Sequence, residues 1–119
     1  MLKNLLITIP QRDDLRHWPN VEAQLRECVD AENFWTFSCR YYPKESGPGA
    51  LCFVVHSGYV RGYFTVVEFF EGPVYRTTPK EEEIEYKTGK KVKLVTWRPL
   101  ATPVEYPGFQ GYKYTELQP

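Results

Sequence analysis

Apolar and polar positions alternate through Leu2 to Ile9, with Leu5, Ile7 and Ile9 on one face and Leu6 and Thr8 on the other, which predicts a first strand ended by Pro10. After a polar connector from Gln11 to Trp18 the period changes. Val21, Leu25, Cys28 and Val29 follow Pro19 at helical spacing, predicting a helix from about Pro19 to Ala31 with Glu22 and Arg26 paired on its outer face. Asn33 suits a left-handed stop, after which Trp35, Phe37, Cys39 and Tyr41 alternate with Phe34, Thr36, Ser38 and Arg40, the first set facing the core.

Tyr42 to Gly49 carries two prolines and two glycines and reads as a loop. It leads into LCFVVHSGYVRGYFTVVEFF, Leu51 to Phe70, where two apolar runs flank Ser57-Gly58 and predict an antiparallel hairpin. Gly62 interrupts the second run, so a bulge or another backbone is expected there. Gly72-Pro73 closes the hairpin, and Val74 to Lys91 is the densest run of charge. Thr78, Pro79 and Glu81 would cap a short helix in it, with a flexible excursion as the alternative. Lys91 to Trp97 returns as a strand, Pro99, Pro103 and Pro107 then oppose a regular ladder, and Gly108 to Tyr114 is a last short strand. The order predicts an α+β protein, a small curled β-barrel of five to seven mostly antiparallel strands with one main helix against an open end, forming a single domain over residues 1–119.

Length agrees, because 119 residues build one core but not two. Nine Tyr, seven Phe and three Trp favour strands or stacking surfaces over a helical bundle. Lys plus Arg and Asp plus Glu balance at 15 each, so the molecule as a whole does not attract a phosphate backbone, and any nucleic-acid binding must be local. Three cysteines, an odd number, without a secretory leader predict reduced thiols and a cytoplasmic location. No apolar run reaches the ~20 residues of a membrane span, so no membrane partner is expected.

The segments GYVRGYFTVVEF and WRPLATPVEYPGFQGYKY make the chain resemble the PUA-like superfamily, the small barrels that include ASCH and EVE domains. Gly58, Gly62 and the stretch from Trp97 to Tyr112 and Tyr114 fit that layout of a glycine turn, a strand with an early glycine, and a late strand after a long insertion. The resemblance covers most of the chain, but the Gly-x-Lys-x-x-x-x-Arg signature of ASCH domains is absent, so no ASCH chemistry is carried over. What it implies is a binder of RNA, of a single nucleotide or of a modified base, in a pocket that transfers only as a region. No cofactor is implied.

Trp35, Arg40, Tyr41, Arg61, Tyr63, Trp97, Arg98 and Tyr112 are the candidate ligand-binding set, since planar rings sandwich a base while a guanidinium holds its phosphate or edge. Their bland alternative is a barrel core, Trp35, Tyr63 and Trp97, with arginines on its rim. Trp97 and Arg98 stand where the strand is expected to stop. Under simple alternation Trp97 shares a face with Val95 and Lys93, placing an indole beside a mouth that Tyr112 also reaches.

Cys52, His56 and Cys39 do not show the paired close spacing of a zinc site, so buried free thiols and no metal are expected. Ser38, Ser57, Thr65 or Cys39 with His17 or His56 could serve nucleophilic catalysis, yet no nucleophile-elbow or Cys/His signature accompanies them. Glu68 with Lys93 reads as a cross-strand ion pair, Glu81-Glu82-Glu83 as a solvated face, and Lys87, Lys90, Lys91 and Lys93 as a protected strand edge or a phosphate rim. The favoured function is therefore a module that recognises a base or modified base, rather than an enzyme. The alternatives are a small hydrolase acting on a nucleoside or RNA through Glu68 or Glu105, and an adaptor docking through Pro99 to Pro107. A pocket with two or more aromatics and a converging arginine favours the binder, and a buried carboxylate beside Lys or Thr favours the hydrolase.

Overall fold

The hairpin at the centre of the sequence is the spine of the fold. In the computed structural model, which describes residues 1–73, 75–77, 83–85 and 89–119, the strands are β1 (Asn4–Thr8), β2 (Trp35–Cys39), β3 (Leu51–His56), β4 (Tyr59–Gly72), β5 (Tyr75–Thr77), β6 (Glu83–Glu85), β7 (Gly89–Glu105) and β8 (Tyr112–Thr115). The helix α1 spans Trp18–Arg26. Six strands form one sheet in the order β2-β7-β4-β3-β1-β8, with β5 and β6 paired separately. All neighbours are antiparallel except β1 and β3, which run parallel with Leu5 opposite Cys52. The sheet curls into a half-barrel whose edge strands β2 and β8 are not hydrogen-bonded to each other.

Ser57 (φ 51) and Gly58 (φ 78) are both left-handed, the backbone that a two-residue hairpin turn requires. Register shifts in β4 between Val60 and Gly62, Tyr63 and Thr65, and Val66 and Glu68 bend it against β7 and produce the curl. Gly62 lies at the tightest approach. A Cβ there would strike the carbonyl oxygen of Arg98 and come within 2.6 Å of the Trp97 ring, so only glycine fits.

Alternation in β1 divides two cores. Leu5, Ile7 and Ile9 join Val21 and Leu25 of α1, Val54, Phe64, Val66, Val92, Leu94 and Trp97 in the larger one. Leu6 joins Phe53, Val55 and Val60 on the opposite face, covered by Leu100, Tyr106, Phe109 and Leu117.

Several boundaries differ from the expectation. The helix ends at Arg26 and not near Ala31, because Asp30 Oδ1 accepts the N–H groups of Glu32 (2.8 Å) and Asn33 (2.9 Å), and this side-chain turn competes with a further helical turn. Cys28 stays buried while Val29 is exposed. Tyr41 is also exposed, since β2 stops at Cys39. Strand β7 does not end at Trp97 but continues through Pro99 and Pro103 to Glu105. Beyond Leu94 it has a strand partner only in β4, so a residue without an N–H is tolerated. The last strand starts at Tyr112, four residues later than expected.

Thr96 carries φ 64, and its N–H donates to the Cys28 carbonyl at 2.7 Å instead of continuing a regular ladder. This bulge resets the alternation, so Trp97 turns inward with Val92 and Leu94 rather than outward with Val95 and Lys93. The helix expected at Thr78, Pro79 and Glu81 lies outside the described residues, as do Glu82 and Lys87. No helix among the described residues is long and apolar enough to cross a membrane.

Candidate functional site

The half-barrel leaves a seam between its two edge strands, and a cavity of about 980 Å³ opens beside it. Its apolar wall comes from Ile7 and Ile9 at the end of β1, Leu15, Cys28 after α1, Phe34, Trp35 and Phe37 of the β2 segment, and Phe109 before β8. Arg12, Gln24, Glu27, Glu32, Asn33, Gln110, Ser38 and Lys91 supply polar groups. Local sequence accounts for this placement. Alternation in β2 turns Trp35 and Phe37 toward the core and leaves Ser38 on the other face, opposite Lys91 in the β7 register.

Lys91 is the unusual group. It is 5% exposed, and its Nζ donates to Ser38 Oγ at 2.6 Å. Its neighbours in β7 behave differently, Lys93 pairing with Glu68 at 3.1 Å and Lys90 with Glu71 at 3.7 Å. Among the described residues no carboxylate pairs with Lys91, and a buried ammonium satisfied by one hydroxyl keeps unused donors and an unbalanced charge. An anion entering the cavity would accept from those donors and balance the charge.

Of the eight residues singled out in the sequence, Trp35 lines this cavity. Tyr112 stands at the seam, its ring 6.2 Å from Phe37, and burial and the neighbouring Tyr114 push its hydroxyl pKa up. Arg40 and Tyr41 lie beyond the end of β2, the guanidinium 5.9 Å from the ring. Arg61 lies over Trp18 (5.2 Å) and Tyr59 (5.0 Å), its Nε donating to the His56 carbonyl at 2.9 Å. Tyr63 packs on Phe53 at 5.3 Å, and Arg98 is exposed opposite it. Trp97 is buried between Phe64 (5.3 Å) and Trp18 (5.8 Å), and among the described residues its Nε1 has no hydrogen-bond partner. The eight therefore occupy separate places, with Trp35 and Tyr112 on the seam.

Sequence reading did not assign Lys91, Ser38, Arg12, Phe34 or Phe109 to one site. Lys91 was legible as part of a basic cluster, but its burial depends on strand pairing between residues 53 positions apart.

The thiols are protected rather than activated. Burial, with help from the Glu27 charge, pushes Cys28 up to about 11, and burial alone raises Cys52 further. Cys39 is raised by burial against the lowering pull of Lys90 and Lys91. All three are free, and the described residues contain no group of three or more His, Cys, Asp or Glu placed to hold a metal ion. Glu68 is more than half exposed in its pair with Lys93, and Glu105 is exposed. Among the described residues the buried polar or charged side chains are Ser46, His56 and Lys91, none of them a carboxylate. No family model, no curated protein and no solved structure matches the chain.

Proposed function

We propose that the protein is a binding module for a nucleotide or modified base, free or within RNA, taken into the seam cavity with its ring against Trp35 and its anionic group on Lys91. The observation that carries this reading is a cavity at the edge strand β2 lined by Trp35 and Phe37 from its core face and by Lys91 from its other face, a buried ammonium with no carboxylate partner among the described residues. Arg12 adds a second cation to a lining that also holds the carboxylates of Glu27 and Glu32, so the anion is held at Lys91 itself and not by the overall charge of the cavity. The rings supply stacking worth roughly 1–3 kcal/mol per base, and the ammonium a charge-assisted hydrogen bond of about 1.5–3 kcal/mol. Local recognition of this kind needs no net positive charge, in keeping with the balance of 15 basic and 15 acidic residues. The half-barrel with a helix at one end is compatible with the PUA-like resemblance, and the three free thiols suit a reducing cytoplasm.

Titration of nucleosides and their monophosphates, with and without base modification, followed by tryptophan fluorescence tests the reading. Monophosphates are expected to bind more tightly than nucleosides, Trp35→Ala to weaken both by about tenfold or more, and Lys91→Met to abolish the preference for phosphate, a factor of ten being ~1.4 kcal/mol. Absence of saturable binding by the folded protein, or affinities unmoved by both substitutions, would overturn it.

A further inference from the structure

A second set of groups meets at the tip of the β3–β4 hairpin, away from Lys91 and Trp35. His56 is fully buried, and its Nε2 lies 2.7 Å from the Leu15 carbonyl oxygen. A carbonyl only accepts, so Nε2 carries the proton and Nδ1 presents a lone pair. Ser57 Oγ is 3.0 Å from that Nδ1 and donates to it. Gln11 Nε2 in turn donates to Ser57 Oγ at 2.9 Å, and is itself steadied by the Arg16 carbonyl at 3.3 Å. The result is a directed chain from the Gln11 amide through the Ser57 hydroxyl and the His56 imidazole to the Leu15 carbonyl.

The local backbone strengthens the reading. A two-residue turn of this hand favours Asn or Gly at its first position, so Ser57 at φ 51 occupies a strained conformation that a glycine would adopt freely. What serine adds is a half-buried hydroxyl on the imidazole. Trp18 packs on the imidazole with ring centroids 5.6 Å apart, and the Arg61 side chain closes over the His56 carbonyl. The base is therefore closed to solvent, and its reactive nitrogen faces the serine.

We infer that Ser57 is a nucleophile activated by His56 as general base, with Leu15 as the orienting acceptor and small carboxylic esters as the substrate class. Oγ attacks the ester carbonyl carbon, forming the Oγ–C bond while its proton passes to Nδ1. The C–OR bond then breaks with its electron pair on the leaving oxygen, which takes the proton from Nδ1 as the alcohol. Water repeats the sequence on the acyl-serine and releases the acid. To donate to the oxygen that becomes negative, the Gln11 amide would have to release the Arg16 carbonyl. A carbonyl stabilises an imidazolium less than a carboxylate does, so both half-reactions, and with them turnover, should be slow.

An alkyl fluorophosphonate probe, which forms P–O at Oγ and expels fluoride, tests this by intact mass and peptide mapping. One adduct is expected on Ser57 of the native protein, at least ten times faster than on the same protein unfolded in urea, and absent from Ser57→Ala. His56→Gln should slow labelling at least tenfold, and if that variant does not fold, the comparison of the native wild-type chain with the same chain in urea decides. Failure of native Ser57 to label, or labelling no faster than in urea, would overturn the assignment. Nucleotide binding at the seam is unaffected by any of these outcomes.

Discussion

At Gly62 a missing Cβ lets two strands and an indole share one volume. Gly62→Ala sets that Cβ against the Arg98 carbonyl and within 2.6 Å of the Trp97 ring, and should cost about 1–3 kcal/mol, read as a lower denaturant midpoint. Trp97 meets the same space from the other side. Its 8% exposure and its contacts with Phe64 and Trp18 predict that Trp97→Ala loses about 3–5 kcal/mol from the cavity it leaves. Thermal melting checks this, and a Tm close to wild type would return Trp97 to the list of ligand contacts. Among the thiols, half-buried Cys39 beside Lys90 and Lys91 should react first with a maleimide in the native state, well ahead of Cys28 and Cys52. Mapping the first-labelled peptide tests that order.

At the scale of elements, two of the three irregularities that bend the long β4–β7 ribbon into a half-barrel have a residue-level cause. Glycine at position 62 permits the first, and the bulge at Thr96 forms the second. A β-branched residue at φ 64 carries strain that glycine would relieve. Thr96→Gly is therefore expected to raise stability by about 0.5–1 kcal/mol, after the larger backbone entropy that glycine loses on folding. Loss of stability in a denaturant titration would mean that the Thr96 side chain contributes more than its backbone costs. The helix was readable from its apolar period and Pro19, and Val21 and Leu25 are buried as that period requires. Its end was not, because the Asp30 side chain captures the next N–H groups through a local turn.

For the whole molecule, the buried thiols give alkaline pH a direction. Cys28 titrates near 11 in the folded protein against an ordinary 9.0, so between those values the folded state keeps a proton that the unfolded state has lost. Stability is then fully present below pH 9.0 and falls as pH rises toward about 11. Cys28→Ala should flatten part of that fall, while the slope from Cys52, raised further by burial, remains. Melting curves across the range check both. Surface ion pairs such as Lys3 with Glu45 at 3.1 Å, each side chain more than half exposed, contribute little to the balance.

The sequence by itself determined the elements whose cause is local. Alternation in Leu5, Ile7 and Ile9 specified a strand with a core face, Ser57-Gly58 specified the turn, and Gly62 marked a close approach before its partner was known. The candidate site was less legible, since of its aromatic wall only Trp35 was singled out for a ligand. Tertiary structure alone decided that β1 runs parallel to β3, that β7 passes through its prolines, and that Thr96 turns Trp97 inward. It also decided that Lys91, which the sequence offered only as part of a basic cluster, is buried against Ser38 while Lys90 and Lys93 pair with carboxylates. The reason is physical: a side-chain period is set by neighbours along the chain, whereas burial, register and an unbalanced charge are set by residues tens of positions away.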